Sequence, residues 1–489
     1  MAPGLTSGGS VAILYGYIAA AIGAGFVAAS LSEIGSIWPT SGGQYHWAAE
    51  LSPPKMRPLI SWYAGWLANA ALWLSCLSAG FAAATQINAY IIVCNPDYVP
   101  ERYHTVLMYL SHYWGGANFS FWAVLLLGVC VNVFGIKLMH GLNIGAMIIH
   151  GCGFICVIAV MSAMGSHHDA AFVFTSFQNL SGWSSDGVAW CLGLLTTSYG
   201  FVGYDAAAHM SEEMKNAARD MPRAMFGSVV VSGVLTFPYI IALLFAIGDI
   251  DVLLASPTGS PITQLFVNVT GSNAGGIALN CIITIIATVA TTGISSVAVE
   301  SDIDFLASCS RTTWAFARDN GIPFPRFFAH VSKRWGVPVN AIVLAATLQA
   351  LLSLIFIGNT TAFNAFIALS TAGINLSYCL PVLLYLVYGR WHLEIEKGPF
   401  NLGPYGPFIN FVAICWTLFL TVFLMFPSYQ PVDPVYPISE NADISVKYEL
   451  RGCDLGVCLS LCDCSVVRLG SKSLRWPCLR GHFCGAFLG

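Results

Sequence analysis

The chain has 489 residues, of which 56% are hydrophobic and only 9% charged, with a formal net charge of −4 and a mean hydropathy of +0.70. Soluble domains carry about 25% charged residues, so this composition excludes a water-soluble globular protein, whose exterior it could not cover. About 20 apolar residues span the hydrocarbon core as a helix, and ten such runs follow in chain order: 10–32, 59–93, 119–136, 139–164, 187–210, 224–248, 275–308, 339–357, 361–388 and 407–427. The loops between them are too short for separate domains. One all-α, multi-pass integral membrane bundle is predicted.

Numbering the loops alternately places Lys55, Arg57, Lys137, Lys215, Arg219, Arg223, Arg311, Arg318, Arg326, Lys333, Arg334, Arg390 and Lys397 on one side of the membrane. Arg102 stands alone on the other, ahead of the final tail. The Lys/Arg-rich side is cytoplasmic, so loops 165–186, 249–274 and 358–362 are predicted outside. No basic residue precedes the first apolar run at Ser10, so no cleavable signal peptide is expected. Ten of the 16 cysteines are scattered through the apolar runs, where Cys behaves as a small hydrophobe. The tail holds the other six, with Cys462-Asp463-Cys464 but no CxxC pair, so no metal site or cofactor is predicted.

The run 187–210 reads GVAWCLGLLTTSYGFVGYDAAAHM, with Gly200 and Gly203 inside it and Asp205 directly after. Glycine costs a helix interior about 1 kcal/mol relative to Ala, although membrane helices also use it for close packing. The other reading is a helix broken at bilayer depth, which is tolerated where it lines a cavity or is buried in protein. Its free backbone groups then hold a polar substrate or ion. A carboxylate inside a membrane segment is costly and marks a functional site by default. Asp205 and His209 share a helical face, whereas Glu212 and Glu213 fall near the cytoplasmic end, where solvation accounts for them. The loop 39–54, PTSGGQYHWAAELSPP, reads as turns followed by an aromatic pair. The loop 311–340 is basic with interleaved aromatics and is predicted to lie on the inner lipid interface rather than to bind nucleic acid.

Six segments together resemble the amino acid–polyamine–organocation superfamily of secondary transporters, and within it the fungal amino acid/choline family of GABA- and choline-permease type. They are GLTSGGS at 4–10, SEIGSIWPTSGGQYHW at 32–47, SPPKMRP at 52–58, GFVGYDAAAHMSEE at 200–213, SRTTWAFARDNGIPF at 310–324 and GVPVNA at 336–341. The resemblance covers roughly residues 4 to 435. It implies an inverted-repeat bundle with about 10 of the usual 12 transmembrane helices, and alternating-access, proton-coupled transport of an amino acid or a small amine such as GABA or choline. It also implies a substrate site at the second-repeat break, formed by Thr197, Ser198, Tyr199, Gly200, Phe201, Gly203, Tyr204 and Asp205. Trp66, Asn69 and Trp73 of span 59–93 would face that site. The implied partners are the small-molecule substrate, protons and the lipid bilayer of the plasma membrane or of a vacuolar or other organellar membrane.

Three departures accompany the resemblance. GLTSGGS resembles the loop after the family's first helix, so residues 1–435 are expected to form a permease domain lacking that helix. Residues 292–304 bring Glu300, Asp302 and Asp304 into a span that is apolar in relatives, and are expected to be an insertion. Residues 436–489 form a Cys-containing tail unlike the family's last helix. Two functional readings therefore stand: a secondary permease, and a permease fragment that is inactive as written. A third, an intramembrane aspartyl protease, needs a second Asp in a GxGD setting. Ala246-Ile247-Gly248-Asp249 lacks the first glycine of that motif, and no HExxH or GxSxG occurs. No enzyme is predicted.

Overall fold

The computed structural model describes residues 2–427 apart from 96–97, 99–104, 107–108, 111–116, 119–120, 135, 255, 257, 293–304, 359 and 394. The chain is a helical bundle. Its first long helix is Gly9–Ile37 (α1), followed by the short Gln44–Glu50 (α2) and the long Arg57–Cys94 (α3). Phe121–Phe134 (α4) and Ile136–Met164 (α5) come next. Asp186–Ser198 (α6) stops short, and a single turn, Ala206–His209 (α7), resumes after it. Ala217–Ala246 (α8), Pro261–Thr270 (α9) and Asn273–Thr292 (α10) follow. Phe305–Arg318 (α11), Val339–Gly358 (α12), Thr360–Leu384 (α13) and Gly406–Leu424 (α14) complete the bundle. A two-residue antiparallel ladder pairs Tyr109–Leu110 with Ala117–Asn118.

Among the described residues, seven helices are long and apolar enough to cross a membrane, while Phe121–Phe134 and Asn273–Thr288 are shorter apolar helices. The remaining predicted run, 187–210, is interrupted. Small residues recur on the buried side of the first long helix. Gly16, Ala20, Gly23, Ala24 and Ala28 of α1 are buried, whereas Tyr15, Ile18 and Ile22 face outward. Lipid tails are as apolar as leucine, so helices associate through small residues that let backbones approach closely. Gly23 shows the need: a Cβ there would collide with the Trp416 indole of α14. The outward residues of other helices, such as Ile155, Val234, Leu351 and Phe408, are exposed by 69%, 66%, 58% and 63%, as a lipid-facing surface requires.

One sequence expectation needs correction. The basic stretch beginning at Arg311 is not a loop at its start: α11 continues through Arg318, and Arg311, Thr312 and Thr313 are buried. The small faces of Ala315 and Ala317 and the ring of Phe316 pack inward against α3 and let the helix run on. Only beyond it do Phe324 and Phe327 become exposed beside Arg326. Of the run 275–308, the described residues belong to α10 and α11. Apart from Thr292, the last residue of α10, the stretch 292–304 lies outside the described residues, as does the tail 436–489.

Candidate functional site

The break in 187–210 has a definite backbone. After α6 ends at Ser198, Tyr199–Phe201 form one tight 3-10 turn and Val202 is extended. Gly203 then adopts φ +96°, a conformation that costs an L-residue about 1–2 kcal/mol and glycine almost nothing. Gly200 carries no such demand, since its backbone is ordinary and a Cβ would meet open space. Of the two glycines in the segment, Gly203 is the one that makes the break.

The turn delivers Asp205 into a buried polar cluster. Asp205 is 3% exposed. Tyr378 of α13 donates its hydroxyl to Oδ1 at 2.6 Å and accepts the Gly203 N–H at 3.1 Å. Gln44, at the start of α2, donates Nε2 to Oδ2. His209, one turn on, places Nε2 3.2 Å from the same Oδ2 and Nδ1 3.0 Å from the Ser41 carbonyl. One carboxylate thus ties the broken helix to α13 and to the segment after α1, which a charge buried at this depth requires.

The other predicted residues divide into two groups. Ser198, Phe201 and Tyr204 line a small cavity with Tyr378, Asn375 and Trp416. Tyr204 packs on Tyr378 at 5.1 Å between ring centroids, and Phe201 packs on Tyr17 of α1 at the same distance. Trp66, Asn69 and Trp73 stand together on α3. Trp66 meets Trp73 and Phe316 edge to face at 6.3 and 6.0 Å. Trp73 Nε1 donates to Thr313 Oγ1 at 3.1 Å, and Thr313 donates to Asn69 Oδ1 at 3.0 Å. Trp66 Nε1 is buried with no hydrogen-bond partner among the described residues. The hydroxyls of Ser78 and Tyr199, 2.8 Å apart, join α3 to the break. Gly200 and Tyr199 lie exposed beside this seam. Thr197 joins neither group: its hydroxyl bonds to the Leu194 carbonyl and lies against Gly16 of α1.

A second set of polar contacts lies at the end of the bundle that carries Arg318 and Asp319. Glu212 accepts from Ser41 Oγ at 2.6 Å and from Arg318 Nη1 at 3.1 and 3.2 Å, so it is a cross-link rather than merely solvated. Tyr45 donates to Asp319 Oδ2 at 2.9 Å. Burial pushes the Asp319 carboxyl up and the Tyr45 phenol well up, the Asp319 charge adding to the latter. His46 sits 3.8 Å from Glu50, but burial first, and then the Arg318 and Arg57 charges, hold its imidazole down at about 4. It is neutral at physiological pH, and the contact is no ion pair. Farther round, Glu33 of α1 pairs with Arg390 and accepts the Leu402 N–H at 3.2 Å.

The sequence reading missed Tyr378, Gln44, Ser78 and Thr313. Gln44 lay within the motif SGGQYHW, where its neighbouring glycines drew attention to turns. Tyr378 carries no local signal, because it is one tyrosine in an apolar helix, 173 residues from its carboxylate partner.

A multi-pass helical bundle with a helix broken beside a buried acid is the architecture of a membrane carrier. The sequence comparisons agree. The family model described as "Amino acid permease" matches residues 1–438, and the chain belongs to that family. It is 32% identical over 439 residues to the choline transporter of Saccharomyces cerevisiae, covering 88% of this chain and 72% of that protein. It is 30% identical over 434 residues to amino-acid permease 2 of Neurospora crassa, covering 88% and 75%. It is also 30% identical over 439 residues to amino-acid permease BAT1 of Arabidopsis thaliana, covering 88% and 81%.

Proposed function

We propose that this chain carries amino acids or related small amines, such as GABA or choline, by alternating access, driven by protons. The observation that carries the reading is the Gly203 break with Asp205 immediately after it. α6 ends there, and the carbonyl end of a helix is the negative end of its dipole. That end of α6 thereby presents partial negative charge a few residues before Asp205. That combination favours a cationic amine over an anion. The ring of Tyr199, whose hydroxyl meets Ser78, offers a π face to an ammonium group. On the α3 side, the unpaired Trp66 N–H is a donor that suits a substrate carboxylate. Ser198, Phe201, Gly203 and Tyr204 shape the wall behind them, and Asn69 and Trp73 fix the opposite one. The names of two relatives, one a choline transporter and one an amino-acid permease, point to the same substrate class.

The test is uptake of labelled choline, GABA and single amino acids by a permease-deficient host expressing the chain, at two external pH values. One of these substrates is expected to show saturable uptake that rises as external pH falls. Asp205→Asn is expected to abolish it with surface expression unchanged. Wild-type uptake by that variant would remove Asp205 from the site, and uptake indifferent to pH would remove the proton.

A further inference from the structure

His209 is 1% exposed, and both ring nitrogens face acceptors. The Ser41 carbonyl can only accept, and so can an ionised carboxylate. A neutral imidazole has one N–H. If that hydrogen is on Nδ1, Nε2 meets Asp205 Oδ2 lone pair to lone pair at 3.2 Å. If it is on Nε2, the same conflict arises between Nδ1 and the carbonyl at 3.0 Å. The tautomer therefore does not matter: the chain carbonyl–imidazole–carboxylate needs two hydrogens, and a neutral histidine beside an ionised aspartate supplies one. Neither of the other donors to Asp205 can substitute, because Tyr378 is on Oδ1 and the Gln44 amide reaches only the carboxylate.

We propose that Asp205 and His209 hold one shared proton while the cytoplasmic face is closed, and that opening of this face is linked to its release. The ring is the contact between α7 and the segment at Ser41, and Gly43 packs so tightly beside it that a Cβ there would come 2.9 Å from Cε1. When the proton leaves, an N–H or O–H bond breaks, the proton passes to water, and two lone pairs are left facing in a buried site. That arrangement is relieved by parting α7 from Ser41 and Gln44, which also pulls on Glu212 through the Ser41 hydroxyl. His209 is thus a positioning residue acting through Asp205. The inference rests on the carrier reading only in supposing that this face opens, and it is independent of which substrate is carried.

The other titratable groups around the pair are Tyr204 beside it, Tyr378 of α13, and Cys309 of α11 across Ala206. Glu212 with Arg318, and beyond them Asp319, Tyr45 and His46, stand at the seam. His46 acts with the opposite sign, since it resists protonation where it is buried. Its influence ends above about pH 6.5, the ordinary value for histidine.

The test uses the full chain in liposomes without substrate. Spin labels go at Lys215 and Arg326, both exposed and outside the cluster, and the ratio of long to short distances is read from about pH 6.5 to 9. A single linked proton predicts that the open-to-closed ratio rises tenfold per pH unit across the range where the pair titrates, and that His209→Gln abolishes this dependence. A ratio independent of pH in the parent, a slope near two, or an unchanged slope in His209→Gln would each overturn the proposal. If the variant fails to fold, the parent slope still decides. No uptake is measured, so failure here and failure to find a carried amine are separate results.

Discussion

Tyr378→Phe subtracts one oxygen from the site and nothing else. The ring keeps its contact with Tyr204 at 5.1 Å. The hydroxyl it loses makes two buried hydrogen bonds, donating to Asp205 at 2.6 Å and accepting from Gly203 N–H at 3.1 Å. A bond to a charged group contributes about 1.5–3 kcal/mol and a neutral one about 0.5–1.5 kcal/mol. Asp205 keeps Gln44 and His209, which places the total in the lower half of that range, about 2–3 kcal/mol. Both bonds tie α13 to the broken helix, so their loss falls on the closed arrangement. At 1.4 kcal/mol per tenfold, the open-to-closed ratio should rise roughly 30- to 150-fold. The labels at Lys215 and Arg326 report that ratio, and thermal unfolding in detergent reports any general loss. A ratio within threefold of the parent would show that the Tyr378 hydroxyl does not hold this face shut.

Gly203→Ala should lower uptake sharply, because φ +96° strains any residue with a Cβ, whereas Gly200→Ala meets open space and should change uptake less than twofold; equal effects would refute the backbone argument. His46 predicts an acid-side loss of stability. Its value in the folded chain, about 4, lies below the ordinary 6.5, so the stability is whole above pH 6.5 and is lost as pH falls toward 4. The loss is about 2 kcal/mol by pH 5. Melting temperatures at pH 7 and pH 5 should converge in His46→Gln, and an unchanged gap would exclude His46 as the cause. For topology, single cysteines at exposed positions in 165–186 should react with an impermeant reagent on intact cells, and those in 319–338 should not. External labelling of 319–338 would invert the orientation.

The fold class was legible in the sequence because the bilayer leaves few alternatives. A backbone polar group must be paired within its own segment, so each long apolar run had to be a helix. The break was legible for a related reason: glycine next to an acid contradicts both local propensity and the cost of burial. What could not be read was the company Asp205 keeps. Gln44, Tyr378 and His209 converge on it from α2, α13 and α7, and only the His209 contact is local in sequence. The remaining partners depend on how helices pack, and membrane helices that are apolar all round carry no moment to announce which side faces in. The end of α11 was misread by the same mechanism. Arg311 and Arg318 looked like a surface loop, yet one is buried and the other reaches Glu212.

The two layers of polar contact call for different perturbations. The inner layer around Asp205 is buried, so each missing bond there carries a large desolvation penalty. The outer layer is half wet: the Arg318 and Glu212 side chains are 41% and 37% exposed. An ion pair at that exposure contributes about 0.2–1 kcal/mol and is screened by salt. Glu212→Gln should therefore shift opening only a few-fold, and by less still in high salt, while keeping an acceptor for Ser41. Asp205 and Tyr378 variants should be nearly indifferent to salt. A Glu212→Gln effect as large as that of Tyr378→Phe and unscreened by salt would place the main closure at the surface, and would make the buried cluster a consequence of closing rather than its cause.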